Sequence, residues 1–158
     1  MNSINSSSYN KYYGRKRICK LSLITDKVGI PYNLTLNNGK CNDAIILEQQ
    51  LLQPMLIDIP TNGSYFLADK GYDTIRIREK LTNLGYWPLI AKNRRNNNKS
   101  YDSMTKHEKK IYKKRIRIEN IFLNLKYYRR ILTRYDKYET VFLGFVYLAL
   151  IILIKCKY

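Results

Sequence analysis

Residues 65–91 read YFLADKGYDTIRIREKLTNLGYWPLIA, and their punctuation marks out two strands around a helix. Tyr65-Phe66-Leu67-Ala68 is a short apolar run bounded by Asn62-Gly63 and Lys70-Gly71, the pattern of a buried strand with Asp69 at its C-terminal mouth. Asp73 or Thr74 starts a helix that runs through Leu84 and ends at Gly85, and Tyr86 to Ala91 forms a second strand. Strand, helix, strand implies parallel pairing, because parallel neighbours need a crossover between them.

On the N-terminal side, Lys16 to Asp26 alternates loosely into Asp26-Lys27-Val28-Gly29, and Ile30 to Leu36 then runs extended into Asn37-Asn38-Gly39. Two antiparallel strands joined by a tight turn are expected there. Asp43 is placed to cap a helix carrying Ile45, Ile46, Leu47, Leu51 and Leu52 on roughly one side, and Pro54 stops it. On the C-terminal side, Lys92 to Asp102 is polar and basic without apolar periodicity, which predicts a mobile surface loop. From Lys106 to Leu132 there is no Gly or Pro, and Ile111, Ile118, Phe122, Leu125 and Leu132 fall at the spacing of one buried face, predicting the longest helix. Tyr138 to Ile154 is a nearly all-apolar helix expected to pack against the sheet. The whole reads as α/β or mixed α+β in one layer-packed domain.

With 158 residues and 45% apolar composition, the chain can build one ordinary core. Its 29 Lys and Arg against 12 acids give a formal charge of +17, far beyond what solubility requires, so a polyanion is the expected partner. Charge alone does not separate DNA from RNA or an anionic membrane. Cys19, Cys41 and Cys156 share no paired spacing and have one histidine, His107, for company, so neither a disulfide framework nor a zinc site is expected, and a reducing interior fits. Residues 1–10 have no apolar core of a secretory signal. Val141 to Ile154 is shorter than the roughly 18 to 20 residues a bilayer requires and reads as a buried helix, not a membrane anchor.

Within the long helix, Tyr112, Arg115, Glu119 and Lys126 are three, four and seven residues apart, which at about 100° per residue places them in an arc of roughly 60°. That stripe borders the apolar one, so Glu119 is expected at the edge of the core. Taken alone, Arg115 and Glu119 are equally an i,i+4 helix pair worth roughly 0.3 to 0.5 kcal/mol. Arg94 and Arg95 in the loop, and Arg129, Arg130 and Arg134 further on, either grip phosphates or form a solvated face.

Tyr-x2-Arg-x3-Glu-x6-Lys, here Tyr112, Arg115, Glu119 and Lys126, resembles without gaps the signature around the last carboxylate of DDE transposases of insertion sequences, of the four/five type. Other segments resemble the same family in the same order: Gly14-Arg15-Lys16-Arg17 into Lys20-Leu21 and Asp26-Lys27-Val28-Gly29-Ile30-Pro31, then Leu67-Ala68-Asp69-Lys70-Gly71-Tyr72-Asp73, then Thr133-Arg134-Tyr135-Asp136-Lys137. The resemblance implies a ribonuclease-H-like mixed sheet flanked by helices, with Asp69 as the second and Glu119 as the third metal-binding, catalytic acid. It implies Mg²⁺ or Mn²⁺ as cofactor, since carboxylates offer hard anionic oxygens and two ions about 3.5 to 4 Å apart stabilise both the attacking and the leaving oxygen of an in-line displacement. It implies double-stranded DNA, transposon ends and target, as partner, contacted by Arg115 and Lys126 with Tyr112 packing beside them. A homo-oligomer and an intracellular site of action, cytoplasmic or at the nucleoid, go with that chemistry.

The family's first aspartate lies on a first strand ahead of the Gly-Arg-Lys-Arg segment, and none of residues 1–13 is Asp or Glu. The expectation is therefore a partial catalytic domain over residues 14–158, behind a disordered remnant at 1–13, with the first strand missing and neighbouring edges left unpaired. Asp26, in a strand turn, and Asp58, in the loop before the acid-bearing strand, are poor substitutes. Three readings follow: a remnant inactive alone, an enzyme whose first acid comes from another polypeptide, and a non-enzymatic basic DNA-binding protein.

Overall fold

A computed structural model describes residues 8–9, 17–53, 63–93 and 104–156. The chain divides into two compact units, one of residues 1–41 with 116–158 and the other of residues 42–115.

In the first unit, β2 (Arg17–Thr25) and β3 (Pro31–Asn38) form the expected antiparallel hairpin. Its period of two sets Leu21 opposite Leu36 and Leu23 opposite Leu34, so all four apolar side chains serve one face. The turn is built by Asp26, whose Oδ1 accepts from the backbone N–H groups of Val28, Gly29 and Ile30 at 2.8, 2.6 and 2.8 Å. Gly29 has a φ of 105°, where a β-carbon would be strained. Of residues 1–13, the strand β1 (Ser8–Tyr9) pairs antiparallel with β2, setting Ser8 opposite Ile18 and Tyr9 opposite Arg17. An edge expected to stand bare is thus partly paired, and the other residues of that stretch lie outside the described residues.

The stretch 106–132 is not one helix. It is divided into α3 (Lys106–Tyr112), a 3₁₀ turn (Lys113–Arg115), α4 (Ile116–Tyr127) and α5 (Arg129–Leu132). Tyr128 interrupts the last step with an extended backbone, φ −80° and ψ 107°. Nothing in Lys113, Lys114, Arg115 or Tyr128 forbids a helix, so tertiary packing sets the breaks. The longest helix is instead α6 (Glu139–Lys155). As expected it packs on the sheet: Phe142, Val146, Ala149 and Leu150 join Leu23, Leu34, Ile121 and Leu125 in one core.

In the second unit, α1 (Asp43–Leu52) is capped by Asn42, not Asp43: the Asn42 side chain accepts from the Ala44 N–H, and Asp43 occupies the first turn, where a negative charge suits the helix dipole. Ile46, Leu47, Gln50 and Leu51 are its buried side, whereas Ile45 and Leu52 face outward. Strand β4 (Tyr65–Ala68) and strand β5 (Trp87–Ile90) are parallel, Tyr65 opposite Trp87 and Ala68 opposite Ile90. Between them α2 (Ile75–Asn83) starts at Thr74, whose hydroxyl accepts from the Ile77 N–H, and ends before Gly85 at φ 84°. Ile77 and Leu81, spaced by four, are sealed at 1% and 0% exposure. The architecture is mixed α and β, consistent with a ribonuclease-H-like domain, and among the described residues its strands fall into an antiparallel sheet of three and a parallel sheet of two.

Candidate functional site

Asp69 stands where the sequence places it, directly after β4, at the mouth of a parallel pair. It is exposed and caps the 3₁₀ turn Lys70–Tyr72, its Oδ1 accepting from the Lys70 N–H at 2.8 Å. The second oxygen, Oδ2, has no hydrogen-bond donor among the described residues and is open to a ligand. A hard anionic oxygen presented this way suits Mg²⁺.

Tyr112 comes back to the same strand end from 44 residues away: its phenol donates to the Ala68 carbonyl at 3.1 Å. Burial raises the Tyr112 pKa above the usual phenol range; the Arg115 guanidinium opposes this and the Asp69 carboxylate adds to it. Arg115 lies with its guanidinium carbon 5.6 Å from the centre of the Tyr112 ring. Two segments that are far apart in sequence, the Ala-Asp-Lys-Gly-Tyr-Asp motif and the start of the Tyr-Arg-Glu-Lys signature, thus meet at one strand end.

Glu119 and Lys126 belong to α4, in the other unit, where both are exposed. The core side of α4 is formed by Ile118, Ile121, Phe122 and Leu125; Glu119 lies about 60° round the helix from Phe122, beside that face, but its side chain is exposed. The single stripe expected for all four signature residues assumed an uninterrupted helix, and the 3₁₀ turn at Lys113–Arg115 lies between its halves. Arg94, Arg95 and the loop around them lie outside the described residues, as does Asp58. Arg129 is exposed on α5. Arg130 pairs with Asp136 through Nε and Nη2, at 3.2 and 2.6 Å, and its guanidinium carbon lies 3.7 Å from the centre of the Phe145 ring. Arg134 stands over Phe142 at 5.2 Å. The hydrogen bonds that hold its turn already occupy Asp26 Oδ1, which weighs against Asp26 as a substitute acid.

The sequence reading missed the group that fixes the strand mouth. Asp73 and Arg78 are both 8% exposed and form a buried pair: Asp73 Oδ1 accepts from Arg78 Nε at 2.9 Å and Nη2 at 2.7 Å. Arg78 Nη2 also donates to the Ile90 carbonyl at 2.8 Å, and Asp73 Oδ2 accepts from the Asn93 N–H at 2.7 Å. One ion pair therefore ties the turn after β4 to the end of β5 and to the start of the basic loop. The available signal was Arg78 itself, a charge inside the Ile77 and Leu81 face of α2.

No cluster of three or more His, Cys, Asp or Glu side chains suited to a metal occurs among the described residues. Among the same residues no helix is long and apolar enough to cross a membrane. No solved structure matches the chain. Over 130 residues, 82% of this chain and 92% of the other, it is 30% identical to a candidate transposase for insertion sequence element IS6501 in Brucella ovis. A family model described as the transposase DDE domain matches residues 4–154. With nearly its whole length so matched, the chain belongs to the DDE transposase domain family.

Proposed function

We propose that the chain is the DNA-binding, partial catalytic domain of an insertion-sequence transposase of the Tyr-Arg-Glu-Lys type, with Asp69 and Glu119 as its metal-binding, catalytic carboxylates. The domain spans residues 14–158 and acts on duplex DNA inside the cell, at transposon ends and target. The hydrogen bond from Tyr112 to the Ala68 carbonyl supports this reading most directly, because it brings a signature residue to the strand end that bears Asp69.

Mg²⁺ or Mn²⁺ bound by these carboxylates supplies charge stabilisation for the in-line displacement of a phosphodiester. The chain's own residues do the rest of the positioning. Asp69 offers one unpaired oxygen while its other oxygen is fixed on the Lys70 N–H. Arg115 and Lys126 each carry a charge suited to a backbone phosphate, with Tyr112 keeping Arg115 in place. Arg94, Arg95, Arg129, Arg130 and Arg134 are the further candidates for phosphate contact, in keeping with the net charge of +17. Residues 1–13 contain no acid, so the first of the family's three carboxylates has no candidate there, and strand cleavage by this chain alone is not expected.

Purified protein, a supercoiled plasmid and Mg²⁺ or Mn²⁺ test the reading. Binding without nicking is expected, together with Mn²⁺ binding, followed by electron paramagnetic resonance, that weakens in Asp69→Ala and Glu119→Ala. Metal-dependent nicking abolished by both substitutions overturns inactivity and keeps the chemistry. DNA binding with no metal affinity leaves a non-enzymatic basic protein, and absence of DNA binding removes the whole proposal.

A further inference from the structure

Helix α3 and the turn after it carry a ridge that the site above does not use. Lys106, Lys109 and Lys110 recur at i, i+3 and i+4 on one side of α3, Lys113 and Lys114 follow on the 3₁₀ turn that continues it, and all five are exposed. None has a hydrogen-bond or ion-pair partner among the described residues. The one acid of the segment, Glu108, is engaged elsewhere: it accepts from the Thr105 N–H at 2.7 Å and the Thr105 hydroxyl at 2.9 Å in a capping box, and those bonds lower its pKa. Lys106 with Lys110, Lys109 with Lys113 and Lys110 with Lys114 are like-charge neighbours that weaken an isolated helix, and the capping box offsets that repulsion without neutralising it.

We propose that this ridge is a docking strip for the phosphate backbone of duplex DNA, an inference that rests on the DNA-binding reading above. Eight residue steps at 1.5 Å make the strip about 12 Å long. Along one strand of duplex DNA a phosphate recurs every roughly 3.4 Å of axis, so about three or four phosphates lie alongside a strip of that length. Ammonium groups are compact point charges, suited to gripping phosphates and not to reading bases, so the contact is indifferent to sequence. A membrane surface fits poorly, since residues 106–115 expose no large apolar side chain for insertion. At its C-terminal end the helix is moored by Tyr112 to the Ala68 carbonyl, so a backbone lying along the ridge is led toward the strand end that carries Asp69.

The test measures binding of the full chain to a random-sequence duplex by fluorescence anisotropy across a salt series. The ridge variant K106Q/K109Q/K110Q/K113Q/K114Q keeps helix propensity and the capping box. About three or four phosphate contacts predict a slope of log affinity against log salt shallower by about 3, with affinity at ~0.1 M salt reduced at least about 100-fold. The comparison variant K27Q/K40Q/K92Q/K155Q removes exposed charges elsewhere and should change the slope far less. Equal losses in both variants reduce the effect to net charge and overturn the strip. So do an unchanged slope in the ridge variant, or ridge-dependent binding only to single-stranded RNA or phosphatidylserine vesicles. If the wild-type chain binds no duplex, the DNA-binding reading itself falls. Lysine acetylation of the wild-type protein, read by mass spectrometry, keeps the test independent of variant folding: the five amines should be protected by bound duplex, and undiminished labelling refutes the proposal.

Discussion

The two units of this chain are stabilised by different means. The unit of residues 1–41 and 116–158 is filled with Leu, Ile, Val and Phe, and the ion pair seen in it, Arg130 with Asp136, leaves the arginine half in solvent. The unit of residues 42–115 adds to its apolar centre a sealed ion pair, Asp73 with Arg78, which also bonds the backbone of β5 and of Asn93. Geometric precision is concentrated in the second unit. An apolar core tolerates small shifts, whereas a buried pair with fixed hydrogen bonds holds the turn after β4 and the end of β5 in one arrangement, next to Asp69.

Breaking that pair should produce the largest effect. Arg78→Ala leaves the Asp73 carboxylate buried with its charge unmatched, and a loss of about 4 kcal/mol is expected by urea unfolding. Amide exchange should accelerate first at Asn93, whose N–H is bound to Asp73. A loss below about 1 kcal/mol would mean that water reaches the pair and that the two units differ less than their burial indicates.

In the other unit the corresponding cut is Leu125→Ala, at a side chain 1% exposed among Leu23, Phe142 and Val146. Lost transfer energy plus the remaining cavity predict about 3 kcal/mol by the same measurement. The contrast is sharpened by Arg78→Met with Asp73→Leu, which replaces the ion pair with apolar bulk. That double variant should recover most of the stability while losing the bonds to Ile90 and Asn93, so Asp69-dependent metal binding should suffer more than folding does.

What was legible in the sequence follows the same division between local and distant causes. The hairpin could be read because alternation and the Asp26 to Gly29 turn are local signals, and the parallel pair because a helix with clear ends separates two short apolar runs. The family signatures were equally local, which is why Asp69, Tyr112, Arg115, Glu119 and Lys126 could be named at once. The break of the long helix could not be read, since Lys113 to Arg115 and Tyr128 are all compatible with continuing it. The apolar face itself was legible, since Ile118, Phe122 and Leu125 all join the core, and the structure adds Ile121 to it. The Asp73 and Arg78 clamp could not be read, because its other partners are backbone groups of Pro88, Ile90 and Asn93 that only the fold brings near.

A smaller effect is expected at the hairpin turn. Asp26→Ala removes the acceptor of three backbone N–H groups that water can partly replace, so a loss of about 1 to 2 kcal/mol is expected. Asp26→Asn, which keeps an acceptor oxygen, should restore much of it. Should both substitutions cost the same, the turn depends on the charge and not on the bond geometry.

The smallest effect concerns pH. The hydrogen bond from Arg130 holds the Asp136 carboxyl below the usual range, with the charges of Arg130 and Arg134 acting the same way, and the Arg130 pKa is raised in return. A carboxyl whose folded pKa lies below its unfolded value contributes stability that is fully present above the unfolded pKa and is lost as pH falls through the folded one. Arg130→Gln should therefore move the Asp136 titration, followed by carboxyl-carbon NMR, upward toward the ordinary range, and flatten the acid side of the unfolding profile while leaving neutral pH and above with a nearly constant difference. Screening by solvent around Arg130 keeps this contribution small. The buried pair of the other unit provides the contrast: added salt should weaken the Arg130 contact measurably and leave the Asp73 and Arg78 bonds nearly unchanged, because ions do not enter where both side chains are about 10% exposed.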